Sequence, residues 1–586
     1  MLLSESGVQQ GDPLGPLLFA LALQPLLQEL AGSRSQGGLE LVYSYLDDLC
    51  LAGDALAVKA ALDTLKARCQ NIGLTLSTGL VSPDGRQLSK DKCELILTGG
   101  AASTVDVTQF PSDFKVVRDG NFELLGGPVG TPQHCNSHTQ ARATKALRVL
   151  EALGEVPDPQ VALQLLRRCA GFSKMVYSIR VVPASFHTDA LKDYDAKVRA
   201  CFEQFTCLHP DEGSWLQATL STEHGGLGLR SLSQHCHAAY LASRSSCHAL
   251  CKDFDPAHTF QSGSGSEPTP ERLAFDSYNS SVNDDSRLPM DFIGELSQKQ
   301  LSKAIDHRSK AMLSSPHVAC QSRQAHLSLV SASGAGLYMH ATPSKEAKLN
   351  NEPALFRAML QRRLRIPFTE EDHECPLCDG IMDSFGDHAL VCCGGGDRTR
   401  RHNLLRNMVY YAASSAHLNP ELEKPGLLPQ RPVFGSMYEN GSCIGEDDSN
   451  PGARRPADIF IPRWRAGPPA AWDFAVTSGL RMDSLTDSIR DPDAATTKYE
   501  DFKCSYKDTA SQCQDQGMSF VPMVVEAVGG GWGKVARGVW SELAKTSALA
   551  IGELETERTS AIMLRQRLSM TLHRENARAC LRRIVH

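Results

Sequence analysis

The sequence has no long hydrophobic run. Its 586 residues are 41% apolar, yet nowhere do they form the stretch of about 20 consecutive apolar residues that a membrane-spanning helix requires. The early apolar segment Leu17–Leu30 is shorter and is interrupted by Gln24, Pro25, Gln28 and Glu29. No early segment has a signal-peptide layout. We therefore expect no membrane association and no secretion, and a nuclear or cytoplasmic location.

An excess of positive charge is also missing. Lys and Arg number 60 against 67 Asp and Glu, a formal net charge of −7. Any nucleic-acid binding must therefore come from local basic patches. Cysteine, by contrast, is plentiful at 19 residues. Without a secretory signal, these cysteines are expected to be reduced thiols or metal ligands.

Two adjacent aspartates interrupt an apolar stretch near the amino terminus. The segment VYSYLDDLCLAG, residues 42–53, predicts a buried strand pair that contains Asp47 and Asp48. One interpretation is a β-turn with solvated aspartates, which are common in turns. The other is a carboxylate pair held for a divalent metal, whose charge would offset their repulsion. The segment alone leaves both open.

The preceding block favours the metal interpretation. A turn-rich loop, SGVQQGDPLGP, leads into an apolar run that predicts a helix. QGDPLGP and YLDD, in this order, resemble two sequence blocks of the reverse-transcriptase palm. The resemblance implies a partial palm over residues 1–130 and a thumb-like helical region over residues 131–252. It also implies that Asp47 and Asp48 are polymerase metal ligands and that Gln10 and Gly11 contribute to cofactor binding.

The same resemblance predicts an incomplete polymerase. Polymerases of this type hold two Mg²⁺ ions with three carboxylates, and the third lies on a strand before the QGDPLGP block. Because Met1 stands so close to that block, we expect the fingers and the first palm strand to be absent. We expect little or no RNA-directed DNA polymerase activity from this chain alone. A second copy or a full-length element protein would supply the missing parts.

A change in composition predicts a linker. Residues 253–289 are rich in Ser, Asp, Pro and Gly, with few large aliphatic side chains and no periodicity. Such a composition buries too little apolar surface to order a chain. We expect a flexible linker here, followed by a helical region over residues 290–365.

Metal-ligand residues cluster in the second half of the chain. CPLCDGIMDSFGDHALVCC begins with a Cys-x-x-Cys pair and continues to a histidine and two adjacent cysteines. This spacing is typical of a tetrahedral Zn²⁺ site and predicts a zinc knuckle over residues 366–405. The alternative is a pair of turn cysteines with a surface histidine. The candidate ligands are Cys375, Cys378, His388, Cys392 and Cys393.

The fourth zinc ligand stays open. Cys392 and Cys393 point to opposite sides of an extended chain, so both cannot reach one ion comfortably. His402 is a more distant substitute. Arginine-rich segments flank the knuckle, RAMLQRRLRIP before it and RTRRHNLLRNMV after it. They either grip phosphates or form solvated helix faces, and the neighbouring knuckle favours nucleic acid.

Two short apolar segments further along each contain one aspartate. If ADIFIP and AAWDFAVT pair as a hairpin centred between Arg465 and Ala466, Asp458 and Asp473 lie directly opposite each other. Like charges at that spacing repel unless a cation lies between them. Two such carboxylates suit one Mg²⁺ ion.

A predicted helix and a further strand follow this hairpin. This arrangement resembles the restriction-like nuclease fold of the PD-(D/E)XK type, here over residues 406–545. It has two acids on paired strands, then a lysine-bearing helix and another strand. In that fold the acids hold Mg²⁺ and a lysine orients the attacking water or stabilises the phosphorane charge. Ala475 occupies the usual lysine position, so the helix would supply Lys503 or Lys498. Lys503, in the helix interior, is favoured. The alternative is two exposed aspartates beside a charged surface helix.

The carboxy-terminal segment, residues 546–586, predicts a locally basic helix. A basic stripe and an apolar stripe run along it. They consist of Arg574, Arg578 and Arg582, and of Leu564, Leu568, Leu572 and Cys580. We expect the apolar stripe to dock on the nuclease and the basic stripe to contact DNA phosphates, with a solvated end helix as the alternative.

The order of these segments resembles the polyprotein of non-LTR retrotransposons of the site-specific, restriction-like-endonuclease class, truncated at its amino terminus. The predicted fold is multidomain α/β, with a partial palm, a helical thumb, a zinc knuckle and a restriction-like nuclease. The resemblance implies DNA nicking and target-primed reverse transcription, Mg²⁺ and Zn²⁺ as cofactors, and a DNA target and an RNA template as partners. The alternative is a catalytically dead, zinc-containing nucleic-acid-binding remnant.

Overall fold

The part of the chain that the structure describes is almost continuous from residue 104 onward. The computed structural model describes residues 11–32, 39–76, 80–81, 87–89, 92–100, 104–258, 268–289, 294–429, 456–465, 467–551 and 554–584. Gln10 lies outside these residues. The fold is mixed α/β and mostly helical, with small sheets. Within these ranges, every helix is too short or too polar to cross a membrane.

The amino-terminal unit is a helix, a β-hairpin and a second helix. These are α1 (Gly15–Gly32), β1 (Leu39–Tyr45), β2 (Asp48–Gly53) and α2 (Ala55–Asn71). The Asp54 carboxylate accepts a hydrogen bond from Leu56 N at 2.9 Å and caps α2, as expected of aspartate at this position. Leucines of α1 and α2 pack with the hairpin into one small core. The predicted hairpin is confirmed, although most of its strand residues are half-buried rather than buried.

Short strand pairs follow this unit. They are β3 (Leu80–Val81) with β4 (Gln87–Ser89), β5 (Glu94–Ile96) with β6 (Lys115–Val117), and β7 (Phe122–Leu124) with β8 (Gly127–Val129). The turn of the last pair uses Leu125 and Gly126, both at positive φ, which the glycine adopts without strain. The described strands of this region pair two by two and form no larger palm-like sheet.

A helical body occupies the middle of the chain. Its helices are α3 (Pro132–Gly154), α4 (Pro159–Leu165), α5 (Phe172–Val181), α6 (Ala184–Thr206), α7 (Glu212–Thr219), α8 (Leu232–Phe254), α9 (Pro270–Ser280), α10 (Gln298–Leu313), α11 (Gln321–Val330) and α12 (Pro353–Leu364). A π-helical turn, Leu166–Ala170, joins α4 to α5. One core runs from Ala146 to Leu364 and also contains Met570 and Ala577. The thumb-like region and the region after the predicted linker therefore share a core.

The linker prediction is wrong for residues 268–289. Thr269 caps α9 by accepting a hydrogen bond from Arg272 N. Phe275 and Tyr278 are fully buried in a cluster with α8 and α10. Two aromatic side chains one helical turn apart anchor this polar segment, because each buries a large apolar surface. The average composition of residues 253–289 is polar and did not reveal that Phe275 and Tyr278 are buried. Residues 259–267 lie outside the described part.

The second half contains a hairpin knuckle and a four-stranded sheet. The knuckle comprises β9 (His373–Glu374), β10 (Ile381–Met382) and α13 (His388–Val391), and α14 (Asp397–Ser415) follows it. The sheet has the order β11 (Glu421–Leu422), β12 (Ile459–Ile461), β13 (Ala470–Thr477) and β14 (Ser519–Glu526), with only the last pair parallel. The crossover between β13 and β14 carries α15 (Leu485–Arg490), α16 (Ala494–Ser505) and α17 (Thr509–Asp515). Two helices end the chain, α18 (Lys534–Ile551) and α19 (Leu554–Leu581).

From Leu568 onward, the last helix, α19, packs against several other parts of the protein. Met570 and Ala577 belong to the core of the helical body, and Leu568 and Leu572 to the core on one face of the sheet. Ala579 and Cys580 pack against the knuckle. Leu564, Leu568 and Leu572 of the predicted apolar stripe therefore pack on the core beside the sheet, whereas Cys580 packs on the knuckle. The helix contacts the helical body, the sheet and the knuckle.

The arginines of the basic stripe of α19 have partners within the protein. Arg574 donates to Asn351 Oδ1 at 2.8 Å and to two backbone carbonyls. Arg578 pairs with Glu575, and Arg582 pairs with Asp397 at 2.6 Å. These arginines are therefore paired within the protein, although Arg578 and Arg582 stay 30% and 45% exposed. The predicted DNA contact of the stripe stays a prediction.

Candidate functional site

Three thiols and one imidazole converge in the knuckle. The ligand atoms of Cys375, Cys378, His388 and Cys392 all lie within 4.8 Å of one another. The Cys378 and Cys392 sulfurs are 3.4 Å apart, those of Cys375 and Cys392 are 4.0 Å apart, and Cys378 Sγ lies 3.2 Å from His388 Nε2. A tetrahedron with Zn–S bonds of about 2.3 Å has edges of about 3.8 Å. The set fits a zinc-like metal, so this part of the prediction is confirmed.

The backbone around the cluster positions its ligands. Cys375 N donates to Gly380 O at 2.8 Å, which closes the turn that carries the first two cysteines. The Asp383 carboxylate accepts hydrogen bonds from the backbone N–H groups of Phe385, Asp387 and His388. It thereby fixes the start of α13 and the position of His388. Such supporting contacts orient metal ligands before a metal binds.

The structure selects the fourth ligand. Cys392 is buried in the cluster, whereas Cys393 is exposed and accepts a hydrogen bond from Arg398 Nη1 at 3.1 Å. His402, the more distant substitute, lies at the other candidate site. Cys393 and His402 are therefore wrong as ligands of this cluster. The adjacent residues Cys392 and Cys393 have different surroundings because Cys392 caps the end of α13 and the chain then turns through three glycines.

The second candidate site lies on the four-stranded sheet. Strands β12 and β13 pair antiparallel, with Ile459 opposite Trp472 and Ile461 opposite Ala470. This is the predicted register as far as Ile459 and Trp472, and Asp458 is the residue immediately before β12. The Asp458 carboxylate reaches β13 by accepting a hydrogen bond from Phe474 N, and its charge acts on Asp473. The side chains of Asp458 and Asp473 are only 17% and 18% exposed.

Helix α16 brings one lysine to these acids. Lys503 Nζ lies 2.7 Å from Asp473 Oδ2. Lys498, on the other side of the helix, donates to the backbone carbonyl of Asp483 at 3.0 Å. The structure therefore brings Lys503, and not Lys498, to the acid pair, as helical geometry leads us to expect for residues five apart. Ala475, two residues after Asp473, is buried.

A histidine joins the site from α14. His402 Nε2 lies 3.1 Å from Asp458 Oδ2 and 3.2 Å from Phe474 O. Because both neighbours are acceptors, Nε2 carries the hydrogen and donates it. The same Asp458 oxygen accepts a hydrogen bond from Phe474 N at 2.7 Å. Asp458 is thus held from two directions. Sequence reasoning missed His402 in this role, since no short-range pattern connects it to an acid more than fifty residues away.

The electrostatics of the site make Asp473 harder to ionise and make Lys503 and His402 hold their protons more tightly. Burial raises the pKa of Asp473 to about 6, which Lys503 partly counteracts and the neighbouring Asp458 reinforces. Burial disfavours the charged forms of Lys503 and His402, but their contacts with Asp473 and Asp458 outweigh it and raise the pKa of each. A carboxylate that is difficult to ionise beside another carboxylate is a typical preparation for a divalent cation.

These carboxylates fit a magnesium-like ion in ligand type. Mg²⁺ prefers oxygen ligands and is commonly bound through one or two carboxylates. Among the described residues, Lys503 is the one ion-pair partner of Asp473. Asp458 and Asp473 are therefore the residues that would hold the ion, with Lys503 beside them.

The double aspartate near the amino terminus is exposed. In the hairpin register Tyr45 pairs with Asp48, which leaves Leu46 and Asp47 in the turn, and Leu46 has φ of 56°. Asp47 and Asp48 are both exposed. Among the described residues, no third acidic, histidine or cysteine ligand gathers with them. Gly11 is exposed, with φ of 94°.

The arginines that flank the knuckle are structural. Arg363 is buried and donates to Gly226 O and Thr222 O. Arg401 is buried and donates to Asn576 Oδ1 and Leu390 O. Other members of these segments contact acids: Arg362 and Arg365 with Asp387, Arg400 with Glu575, Arg406 with Glu423. Arg362 and Arg365 thereby join α12 to the knuckle, and Arg400 and Arg401 join α14 to α19. Arg400 stays 56% exposed, and phosphate binding by these segments stays a prediction.

No protein-family model matches this chain, and no curated protein gives a significant match. The functional assignment therefore depends on the two sites themselves.

Proposed function

We propose that the chain is a metal-dependent DNA endonuclease whose cleavage site consists of Asp458, Asp473, Lys503 and His402. The observation that carries the proposal is the 2.7 Å contact of Lys503 Nζ with Asp473 Oδ2, next to the Phe474 N–H that donates to Asp458. Two acids and one lysine on this strand–helix–strand arrangement are the groups that a phosphodiester-cleaving site needs.

Each side chain has a role that follows from its contacts. Mg²⁺, when bound by Asp458 and Asp473, would supply Lewis-acid stabilisation of the phosphate charge. Lys503, with its raised pKa, keeps a full positive charge for the phosphate oxygens or for the attacking water. His402 donates to Asp458 and holds that carboxylate towards β13. His402 is therefore a positioning residue.

The wider proposal is a protein of the non-LTR retrotransposon type. It is supported by the order of the segments, with the double-aspartate hairpin, the helical body, the Cys₃His cluster and the acid site following one another. A DNA target, an RNA template and a nuclear or cytoplasmic location belong to this proposal. We further propose that the exposed pair Asp47 and Asp48 supports no polymerase activity by this chain alone, because no third ligand gathers with it among the described residues, and that a second copy or a full-length element protein is a partner.

A second candidate is a zinc-containing nucleic-acid-binding remnant without catalysis. One observation favours it. Among the described residues, the Cys₃His group is the one set of at least three such side chains close enough to hold a metal. The acid site has two carboxylates and no third.

Nicking of supercoiled plasmid by the full chain with Mg²⁺ separates these candidates. The nuclease proposal expects conversion to the open circle, and a loss of about 10²-fold or more in Asp458→Asn and Asp473→Asn, as for other groups that stabilise a transition state. Asp501→Asn is the matched control, because Asp501 is exposed on the same helix as Lys503. A zinc-loaded, folded chain that binds DNA without nicking it would establish the remnant instead.

A further inference from the structure

A cation-lined cleft lies in the helical body, on residues that belong to neither site. It has a volume of about 550 Å³ and lies between α5, the loop before α8 and the start of α10. This volume is within the roughly 300–1,000 Å³ of small-molecule sites. Four cations line it, Arg167, Arg180, Arg230 and Lys299, and no carboxylate is among its lining residues. Such a cleft selects an anionic ligand.

Two of the arginines are held by neutral partners. Arg180 Nε and Nη2 both donate to Gln298 Oε1, at 2.9 and 2.6 Å. Arg167 Nη1 donates to Met339 O at 2.7 Å. Hydrogen bonds of this kind orient a guanidinium without cancelling its charge. Arg167 also lies in the π-helical turn Leu166–Ala170, and such turns are frequent at functional sites.

One of the lining cations, Arg230, has a carboxylate partner, and a second carboxylate, Glu223, follows the lining residue Thr222. Arg230 Nη2 lies 3.6 Å from Asp306 Oδ2. Asp306 also accepts a hydrogen bond from Ser221 N and lies 3.5 Å from His235. In the described part of the chain, Arg230 Nε is buried and has no hydrogen-bond partner. A ligand would contact the exposed part of Arg230, whose side chain is 30% exposed.

Burial and the positive charge of the cleft both lower the pKa of a neighbouring histidine, His340. His340 Nε2 lies 2.8 Å from Thr222 Oγ1, and Thr222 lines the cleft. Burial lowers the pKa of His340, and the charges of Arg167 and Arg363 lower it further. The neutral imidazole is consistent with a site that is already strongly positive.

The cleft also has an apolar wall. Phe172 and Val176 line it, and the Arg230 guanidinium lies over the Phe172 ring at 5.7 Å. A cation fixed over an aromatic ring presents a flat surface next to its charge. A ligand that combines phosphate with a flat ring would use both parts of the cleft.

We propose that this cleft binds a nucleotide through its phosphate, either a free nucleoside polyphosphate or the phosphorylated end of a nucleic-acid strand. Arg180 and Lys299 grip the phosphate from the open side, and Arg167 and Arg230 from below. The proposal goes beyond the nuclease and is independent of it, because the cleft contains no residue of the acid site or of the zinc cluster.

Isothermal titration of the full chain at low salt tests the wild-type site. The probes are adenosine triphosphate, and an octanucleotide with and without a 5′-phosphate. Binding of the triphosphate supports the proposal with a free nucleotide as ligand. Preference for the phosphorylated octamer supports it with a strand end as ligand. The proposal would be overturned if the triphosphate did not bind and the octamer either did not bind or bound equally with and without its phosphate.

A matched pair of double variants tests the residues. Arg180→Gln/Lys299→Gln removes two lining cations on α5 and α10, both exposed, so the fold should persist. Lys174→Gln/Lys303→Gln removes two exposed charges from the same helices outside the cleft. The first should weaken phosphate binding about tenfold or more, since hydrogen bonds to charged groups contribute that much. The second should leave it within about twofold. Equal losses would show that net charge, and not the cleft, binds the probe.

Discussion

Lys503 Nζ lies 2.7 Å from Asp473 Oδ2. This contact joins α16 to β13 and places a cation beside Asp473, next to the Phe474 N–H that donates to Asp458. It also distinguishes Lys503 from Lys498, which reaches only a backbone carbonyl.

Replacing each lysine by alanine should have very different effects on DNA nicking. Lys503→Ala removes the cation beside the acids and should lower the nicking rate by about 10²-fold or more. Lys498→Ala should change it by less than about threefold, because Lys498 is exposed and remote from the acids. The measurement is the initial rate of plasmid relaxation in Mg²⁺. Equal loss in both variants would remove the special role of Lys503.

Divalent-cation binding at the acid pair should weaken in mild acid. The pKa of Asp473 is about 6, above its ordinary value of 3.8. Between these values the folded chain holds the proton more tightly than the unfolded chain. The free energy of unfolding of the metal-free chain therefore falls as pH rises from about 4 to 6. A bound cation reverses that cost, but below pH 6 it must displace the proton. Apparent affinity should then fall by up to about tenfold per pH unit.

Calorimetric titration with Ca²⁺, which replaces Mg²⁺ without requiring turnover, measures this dependence. The affinity of the wild-type chain should rise up to about pH 6 and then level off. Asp473→Asn should bind more weakly and lose the pH dependence that Asp473 contributes, because the titrating carboxylate is gone. An affinity that is the same from about pH 5 to 8 in the wild type would contradict the prediction.

Zinc should be retained or lost according to which adjacent cysteine is changed. Cys375→Ser and Cys392→Ser each remove a cluster ligand and should reduce bound zinc from about one equivalent to almost none. Cys393→Ser should retain it, because Cys393 is exposed outside the cluster. Metal analysis of the purified full chain is the measurement. The full chain is needed because the knuckle packs on Ala579 and Cys580 of α19.

Loss of zinc should also lower the melting temperature, since a structural zinc site contributes folding free energy. A chain that melts at the same temperature with and without a chelator would show that the four residues hold no structural metal.

Two adjacent arginines at the end of the chain should differ in their importance for stability. Arg583 is fully buried and pairs with Asp397 at 2.7 Å. Arg583→Gln leaves a buried acid short of one partner and should lower the free energy of unfolding by about 3 kcal/mol or more. Arg582 also contacts Asp397, but its side chain is 45% exposed, so Arg582→Gln should cost less than about 1 kcal/mol. Urea unfolding measures both. A smaller loss in Arg583→Gln than in Arg582→Gln would contradict this account of the carboxy terminus.

Several features followed from local patterns alone. The pairing of β12 with β13 followed from the positions of two short apolar segments, because strand register is set by alternation and by the length of the intervening loop. The spacing of Cys375, Cys378, His388 and Cys392 predicted the cluster, because ligands on one short turn must approach one another. The turn at Asp47 was predicted because it lies between two short apolar segments that pair as strands. Each of these depends on residues close together in the chain.

The choices among equivalent residues were decided only by tertiary packing. Lys503 rather than Lys498 depends on how α16 is rotated against β13, and His402 reaches Asp458 only because α14 lies beside the sheet. The helix α9 in the predicted linker orders because a partner surface on α8 and α10 receives Phe275 and Tyr278. The arginines of α19 looked like a DNA-binding stripe because their spacing is helical, but spacing does not tell which atoms surround a helix. Sequence periodicity determines which side chains share a face, whereas long-range burial determines what that face contacts.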